Sequence, residues 1–350
     1  RQGDWHADLS GLEVASCGAE PVRAGTLSAF AEAFAPWGFR PGAFAPSYGL
    51  AEAVLAVTIA RHDSGPRTLH VAREALSEDR LELAAPDQPG IRTLVSCGPP
   101  LPGLTVNIVD PRSSTPCGDG EVGEVWVAGP CVASGYWQND QASVATFGAR
   151  LGEPDHTDGR GYLRTGDLGF LHDGELYVTG RRKDLLIVHG RNVYPQDLEE
   201  SAQRAHEGAR PGGAMAVATT RDDVESITLL VECVGRPSPE AARDLVEAVR
   251  QRVGADHELQ IADVVPLRSG SLPRTSSGKP QRGAARDAYL SGALDERRAV
   301  VGFDDLHALG QACLQRLEPL LHPLDGGLGI AAETHHHHSA HGFALTVQLP

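Results

Sequence analysis

Gly180-Arg181-Arg182-Lys183-Asp184-Leu185-Leu186-Ile187-Val188-His189-Gly190-Arg191-Asn192-Val193-Tyr194-Pro195 is the stretch at which the chain divides. A basic turn leads into Leu185-Leu186-Ile187-Val188, an apolar run of strand length. Pro195 then opens a helix continuing through Gln196-Asp197-Leu198-Glu199-Glu200, because a first-turn residue needs no intrahelical N–H bond. Downstream, Ala214 to Thr219 and Ile227 to Val234 read as strands. Ser238-Pro239-Glu240 starts a second helix, with a capping hydroxyl, a proline in the first turn and an acid at the positive end of the helix dipole. Leu245, Val246, Val249 and Val253 share one face of that helix. The spacing therefore predicts a small α+β module from about residue 184.

Upstream, residues 1–60 alternate short apolar runs with helical patterns. Leu9 to Ala15 reads as a helix end or turn running into a strand that stops at Gly18, and Ala24 to Phe34 as an amphipathic helix. Such alternation favours an α/β layer. Residues 61–95 read as polar and irregular. After the turn Pro99-Pro100-Leu101-Pro102-Gly103, the runs Leu104–Asp110 and Gly123–Gly129 alternate as strands between Gly and Pro stops. This predicts a β-rich subdomain, a distorted barrel in form. The expected organisation is 1–183, an α/β layer followed by the β-rich subdomain; 184–295, a small α+β domain; and 296–350, a tail. Within the tail Leu306 to Leu321 fits an amphipathic helix.

Composition narrows the function. With 350 residues the chain has room for two or three domains, and its net charge of −15 argues against nucleic-acid binding, which needs a basic surface. It has no uninterrupted apolar run of membrane-spanning length. Cys17, Cys97, Cys117, Cys131, Cys233 and Cys313 are scattered with no C-x-x-C pair, so a reducing cytoplasm is expected rather than a zinc knuckle or disulfide framework. His335-His336-His337-His338 with His341 offers imidazoles, yet contiguous histidines point in different directions, and the run reads as tag-like rather than as a metal site.

Four segments carry chemistry. They are Ser47-Tyr48-Gly49-Leu50-Ala51-Glu52-Ala53, Tyr162-Leu163-Arg164-Thr165-Gly166-Asp167-Leu168-Gly169, the stretch 180–195, and Leu272-Pro273-Arg274-Thr275-Ser276-Ser277-Gly278-Lys279. Tyr48 has a flat face for a purine. Glu52 offers hard oxygens to Mg²⁺. Asp167 could accept protons from both ribose hydroxyls. Arg181 presents a rigid fork of donors. Lys279, in a Ser/Gly loop, could swing a positive charge onto developing negative charge. Singly, each has a plainer reading: a solvated helix acid, a turn aspartate, a basic surface turn, a loop lysine. Two other readings of the last segment fail. Ser276-x-x-Lys279 has no companion S-D-N or K-T-G, and Gly278-Lys279 lacks both the earlier glycine and the following Ser or Thr of a phosphate loop.

Together and in this order, the four segments resemble the adenylate-forming superfamily of acyl-CoA synthetases, peptide-synthetase adenylation domains and luciferases, over about residues 9–290. The wording is most similar to the fatty acyl-AMP ligases: Tyr48 to Ala53, Gly129-Pro130 to Gly135-Tyr136-Trp137, Leu163 to Val178, and Gly190-Arg191-Asn192 with Tyr194-Pro195-Gln196-Asp197. Residues 64–93 resemble the insertion that separates these ligases from CoA-using relatives. The resemblance implies the end of a large adenylation domain followed by a small mobile one. It implies that Gly18-Ala19-Glu20 lines adenine, that Tyr48 and Gly49 belong to the adenine-stacking segment, and that Glu52 is associated with Mg²⁺. Asp167 would bind ribose with Arg181 in support, Asp184 would be the hinge, and Lys279 would drive adenylation. ATP and Mg²⁺ are the implied cofactors, with a fatty acid and an acyl or peptidyl carrier protein as partners. Acyl-CoA synthesis and a non-catalytic binding remnant are the competing readings.

One departure bears on activity. The family's Ser/Thr/Gly-rich phosphate loop has no counterpart in these 350 residues, and Arg1-Gln2-Gly3-Asp4-Trp5-His6 has neither an initiator Met nor an apolar signal core. The expectation is that these residues alone bind ATP poorly and turn over little.

Overall fold

The structure is a computed structural model that describes residues 8–299 except 64, 152–158, 160, 189 and 222–223. The histidine run, the helix expected at Leu306 to Leu321 and Cys313 lie outside the described residues. The described residues form one compact unit.

The first layer is β1 (Ala15–Cys17), helix α1 (Ala24–Phe34), β2 (Phe44–Tyr48) and β3 (Thr58–Ile59), with β1 parallel and β3 antiparallel to β2. Leu27 of α1 packs with Phe39, Phe44 and Val95 to cover this small sheet. Residues 61–95 are more regular than their polarity predicts. Strand β4 (Thr68–Ala72), helix α2 (Arg73–Ser77) and strand β5 (Ile91–Val95) form an antiparallel pair with a one-turn helix. Val71 and Leu76 are fully buried there, against Phe170, Tyr177 and Tyr194 from elsewhere in the chain. The strands were hidden because the apolar surface that covers them lies in other segments.

The β-rich part is an open antiparallel meander in the order β6 (Thr105–Val109), β7 (Gly123–Ala128), β8 (Leu163–His172) and β9 (Glu175–Arg181), with helix α3 (Asp140–Thr146) between β7 and β8. Among the described residues it is not a closed barrel. All six residues of β7 are buried, as expected for a strand covered on both faces.

After the turn Arg182–Asp184 come the hairpin β10 (Leu186–Val188) and β11 (Arg191–Val193) and helix α4 (Pro195–Ala205). A sheet follows, of β12 (Ala209–Arg221), β13 (Val224–Cys233) and β14 (Asp263–Leu267), with helix α5 (Pro239–His257) before β14 and helix α6 (Arg282–Leu290) after it. Ser238 caps α5, its Oγ accepting from the Ala241 N–H at 3.2 Å. The period of two along β12 sorts its neighbours. Ala214 and Ala216 face Leu198 of α4 and Leu245, Val249 and Val253 of α5, while Met215 and Val217 face Ala285 of α6. Each fully buried large side chain here contributes about 1.5–3 kcal/mol by leaving water. The apolar cores thus separate near residue 185; one cluster, containing Tyr194, draws buried residues from both sides.

Candidate active site

Strand register builds the centre of the site. Asp167 of β8 and Arg181 of β9 are directly opposed across the antiparallel ladder, next to an irregularity at Leu168/Gly169. Opposite charges facing each other in this way attract. Arg181 Nε donates to Asp167 Oδ1 at 2.9 Å, and Tyr48, ending β2, donates its phenol proton to Asp167 Oδ2 at 2.8 Å. The carboxylate side chain is 7% exposed and the arginine 50%, so the acid is fixed while most of the guanidinium donors stay open. Burial raises the Asp167 carboxyl above its ordinary range, opposed by the Arg181 charge and the hydrogen bonds from Tyr48 and Arg181. Burial and the neighbouring Asp167 push the Tyr48 phenol well up, so it remains a donor. Tyr48 is only 9% exposed, so the open stacking face expected from sequence is small.

Two glycines are required by close approach. A Cβ on Gly18 would stand 2.6 Å from Ser47 O, and one on Gly49 would stand 1.5 Å from Leu55 O. The backbones of the two expected nucleotide segments therefore meet at the ends of the parallel strands β1 and β2. This is the edge of an α/β sheet where ligands commonly bind. Ala19 holds φ 67°, a left-handed conformation costly for a residue with a Cβ. Glu20 beside it is exposed.

Glu52 lies in the one-turn helix Ala51–Ala53 rather than at the start of a longer one. Its Oε1 accepts from Tyr136 OH at 2.7 Å. It lines a cleft of about 350 Å³ with Glu124, Tyr136, Thr165, Gly166 and Arg182 among its walls. Asp167 follows Gly166 directly. Sequence reasoning did not single out Glu124, which is 3% exposed. Its Oε1 accepts from the Gly166 N–H at 2.9 Å and its Oε2 from Trp126 Nε1 at 3.1 Å. It thereby fixes the turn that presents Asp167. The available signal was an acid beside a tryptophan in an otherwise apolar strand.

Lys279 is exposed in the turn Arg274–Pro280 and is not among the residues lining the cleft. The loop is tied more closely than a Ser/Gly sequence suggests. Lys279 N donates to Thr275 Oγ1 at 3.0 Å, Thr275 N to Lys279 O at 2.9 Å, and Arg274 Nη1 to Gly278 O at 2.9 Å. Asp184 Oδ2 accepts from Arg282 Nη1 at 3.0 Å, a partner sequence reasoning did not assign. The structure therefore gathers Tyr48, Asp167 and Arg181 in one hydrogen-bonded group, places Glu52 in the adjoining cleft, and leaves Lys279 on a separate loop.

The described residues contain no cluster of three or more His, Cys, Asp or Glu able to hold a metal, and no helix long and apolar enough to cross a membrane. A single carboxylate such as Glu52 still suits Mg²⁺, which is usually held by one or two carboxylates plus substrate phosphates.

A family model described as AMP-binding enzyme matches residues 2–137, and one described as the AMP domain of Disco-interacting protein 2-like proteins matches residues 183–299. The medium-chain-fatty-acid–[acyl-carrier-protein] ligase JamA of Moorena producens is 42% identical over 299 residues, covering 84% of this chain and 50% of that protein. The long-chain-fatty-acid–AMP ligase FadD32 of Mycolicibacterium smegmatis is 37% identical over 333 residues, covering 87% of this chain and 53% of that protein. A solved structure from studies of fatty acyl-adenylate ligases from E. coli and L. pneumophila superposes with a TM-score of 0.71 at 34% identity, covering 83% of this chain and 49% of that one. The chain spans about half the length of the curated relatives it matches. Its α/β architecture and its sequence agree: the chain belongs to the adenylate-forming superfamily and is similar, within it, to the fatty-acid–AMP ligases.

Proposed function

We propose that the protein activates a fatty acid with ATP and passes the acyl group to the phosphopantetheine thiol of a carrier protein. In the first step a carboxylate oxygen bonds to the α-phosphorus while the α–β phosphoanhydride bond breaks, giving acyl-AMP and pyrophosphate. In the second the thiol sulfur bonds to the acyl carbon, the thiol loses its proton, and AMP leaves. The observation that carries this reading is the buried Asp167 carboxylate, held by Tyr48 and Arg181 beside an open cleft. Each of its oxygens retains a lone pair for a ribose hydroxyl. A hydrogen bond to a charged group is worth about 1.5–3 kcal/mol.

Arg181, half exposed, would support the ribose or phosphate with its remaining donors. Gly18, Ala19 and Glu20 would line the adenine, beside Tyr48 and Gly49. Mg²⁺ would be held by Glu52 and nucleotide phosphate oxygens, where it would neutralise phosphate charge. Lys279 would move onto the charge that develops as pyrophosphate departs, an electrostatic role. That movement asks the module 184–295 to turn about Asp184 relative to residues 1–183. The name of JamA supports a carrier-protein acceptor.

The test is to incubate the native polypeptide with ATP, Mg²⁺, a panel of fatty acids and CoA, then separate the products chromatographically. Acyl-AMP without acyl-CoA is expected, with Lys279→Ala lowering its formation by about 10²–10³-fold, as for loss of one key electrostatic group. Acyl-CoA as the product would move the protein to the CoA-using synthetases. No adduct from any acid would leave the binding-remnant reading in its place.

A further inference from the structure

Arg282 is the first residue of α6 and lies three residues beyond Lys279. Its guanidinium makes a two-pronged pair with Glu199 of α4, Nε to Oε1 and Nη2 to Oε2, both at 2.8 Å. The third nitrogen, Nη1, donates to Asp184 Oδ2 at 3.0 Å. Arginine suits this place because its planar fork serves two carboxylates at fixed angles, which a lysine ammonium does not. Glu199 is in turn fixed by the central sheet, its Oε1 also accepting from the Ala216 N–H of β12 at 3.1 Å. The Arg282 side chain is 16% exposed and Glu199 5%, so this group is largely withdrawn from solvent.

The other stem of the lysine loop ends in the same way. Leu272 N donates at 2.9 Å to Oε1 of Glu232, a carboxylate 1% exposed in β13. Gln281 N closes the two stems together on Pro273 O at 3.1 Å. The Lys279 turn is thus a short rigid ring standing on two buried acids. The Arg282 side of it reaches Asp184, the residue at the module's boundary. Asp184 is three residues from Arg181, whose partner is Asp167. A run of ion pairs therefore joins the ribose carboxylate expected at Asp167 to the loop that carries Lys279: Asp167 to Arg181, the turn 182–184, Asp184 to Arg282, then two residues to Lys279.

We infer that Arg282 is a positioning residue for Lys279: by binding Asp184 and Glu199 together it sets the loop against the hinge, and so fixes where the lysine ammonium arrives. The inference rests on the adenylation reading above. Arg282 touches no substrate in this role. Its loss should lower the rate of the chemical step without weakening nucleotide binding, because Asp167, Arg181 and Tyr48 are unaltered.

The experiment is acyl-AMP formation by the native polypeptide carrying Arg282→Lys, Arg282→Ala or Asp184→Asn, with melting temperature recorded for each. Asp184→Asn leaves the buried Arg282–Glu199 pair intact and guards against a variant that merely fails to fold. Arg282→Ala should lower kcat by about 10²-fold, the cost of a misplacement on the order of 1 Å, and Arg282→Lys and Asp184→Asn by about tenfold. KM for ATP should stay within about twofold in all three, the pattern of an interaction felt only in the transition state. Full kcat in Arg282→Lys and Asp184→Asn would overturn the positioning role alone. So would a fall in kcat matched by an equal rise in KM. A parent protein that forms no acyl-AMP would overturn the adenylation reading itself, and the two failures are distinct.

Discussion

Asp167–Arg181 and Arg92–Asp197 are both aspartate–arginine pairs with buried acids, yet one is built open and the other closed. In the first the arginine side chain is 50% exposed, and only its Nε is committed to the aspartate. In the second the side chains are 9% and 12% exposed. Arg92 Nε meets Asp197 Oδ1 at 3.1 Å, its Nη2 donates to Thr179 O at 2.7 Å, and its guanidinium lies 4.7 Å over the Tyr194 ring. That pair joins β5 to α4 and fills its own surroundings. The difference lies in access: donors open beside a cleft suit a binding group, whereas the Arg92 guanidinium, enclosed even to a buried Nη1 that has no hydrogen-bond partner, makes a fastening.

The largest effect expected from this contrast is on stability. Arg92→Ala leaves Asp197 charged and buried without a partner, which should cost about 3–5 kcal/mol. Arg181→Ala leaves the buried Asp167 with its Tyr48 hydrogen bond and removes an arginine already half solvated, so it should cost less, about 1–2 kcal/mol. Urea unfolding of both variants measures this. Equal losses would break the distinction between fastening and binding group.

A second test sharpens the closed side. His257, at the end of α5, packs beside the Arg92–Asp197 fastening with Ser201 Oγ at 2.9 Å from its Nε2. Burial, then the charge of Arg73, lowers its pKa from 6.5 to about 4, partly offset by Asp256. A histidine held neutral in the fold stabilises it fully above pH 6.5. That contribution is lost as pH falls from 6.5 to about 4, because the unfolded chain takes up the proton first. It amounts to at most about 3 kcal/mol. Melting temperature measured across this window should fall on acidification in the parent and fall less in His257→Gln. An identical slope in both would remove His257 from the account.

The third effect, on the open side, is on ligand binding. Asp167→Asn should weaken ATP binding by about tenfold to a hundredfold, the worth of a hydrogen bond to a charged acceptor. Asp197→Asn should change ATP binding little, whatever it does to stability. Isothermal titration with a non-hydrolysable ATP analogue would separate the two.

How much of this was readable in the sequence follows the same division. The helices and strands after Asp184 were legible because their starts and apolar runs are local signals, as at Ser238-Pro239-Glu240 and Ile227 to Val234. The residue types of the open pair were legible in Gly166-Asp167 and Gly180-Arg181. Their pairing is a matter of register across β8 and β9, joined by the turn at Asp173-Gly174, a hairpin signal that was available and went unused. The closed pair was not legible. Arg92 and Asp197 are far apart in the chain, and Arg92 sits in a segment whose charges read as solvated surface. Only the fold shows that Val71, Leu76 and Leu94 there have apolar partners contributed by β8, β9 and Tyr194. Glu124 and Arg282 were missed for a related reason: a buried acid or arginine is recognised by what surrounds it, and the surroundings come from distant strands and helices.

The central claim is that Asp167, with Tyr48 and Arg181, holds a nucleotide for acyl-adenylate formation. The most direct measurement is fatty-acid-dependent exchange of labelled pyrophosphate into ATP by the native polypeptide, beside Asp167→Asn and Lys279→Ala. The account predicts exchange that requires a fatty acid, falls in both variants, and in Asp167→Asn is partly restored by raising ATP. Exchange that is absent from the parent, or that survives unchanged in Asp167→Asn, would contradict it.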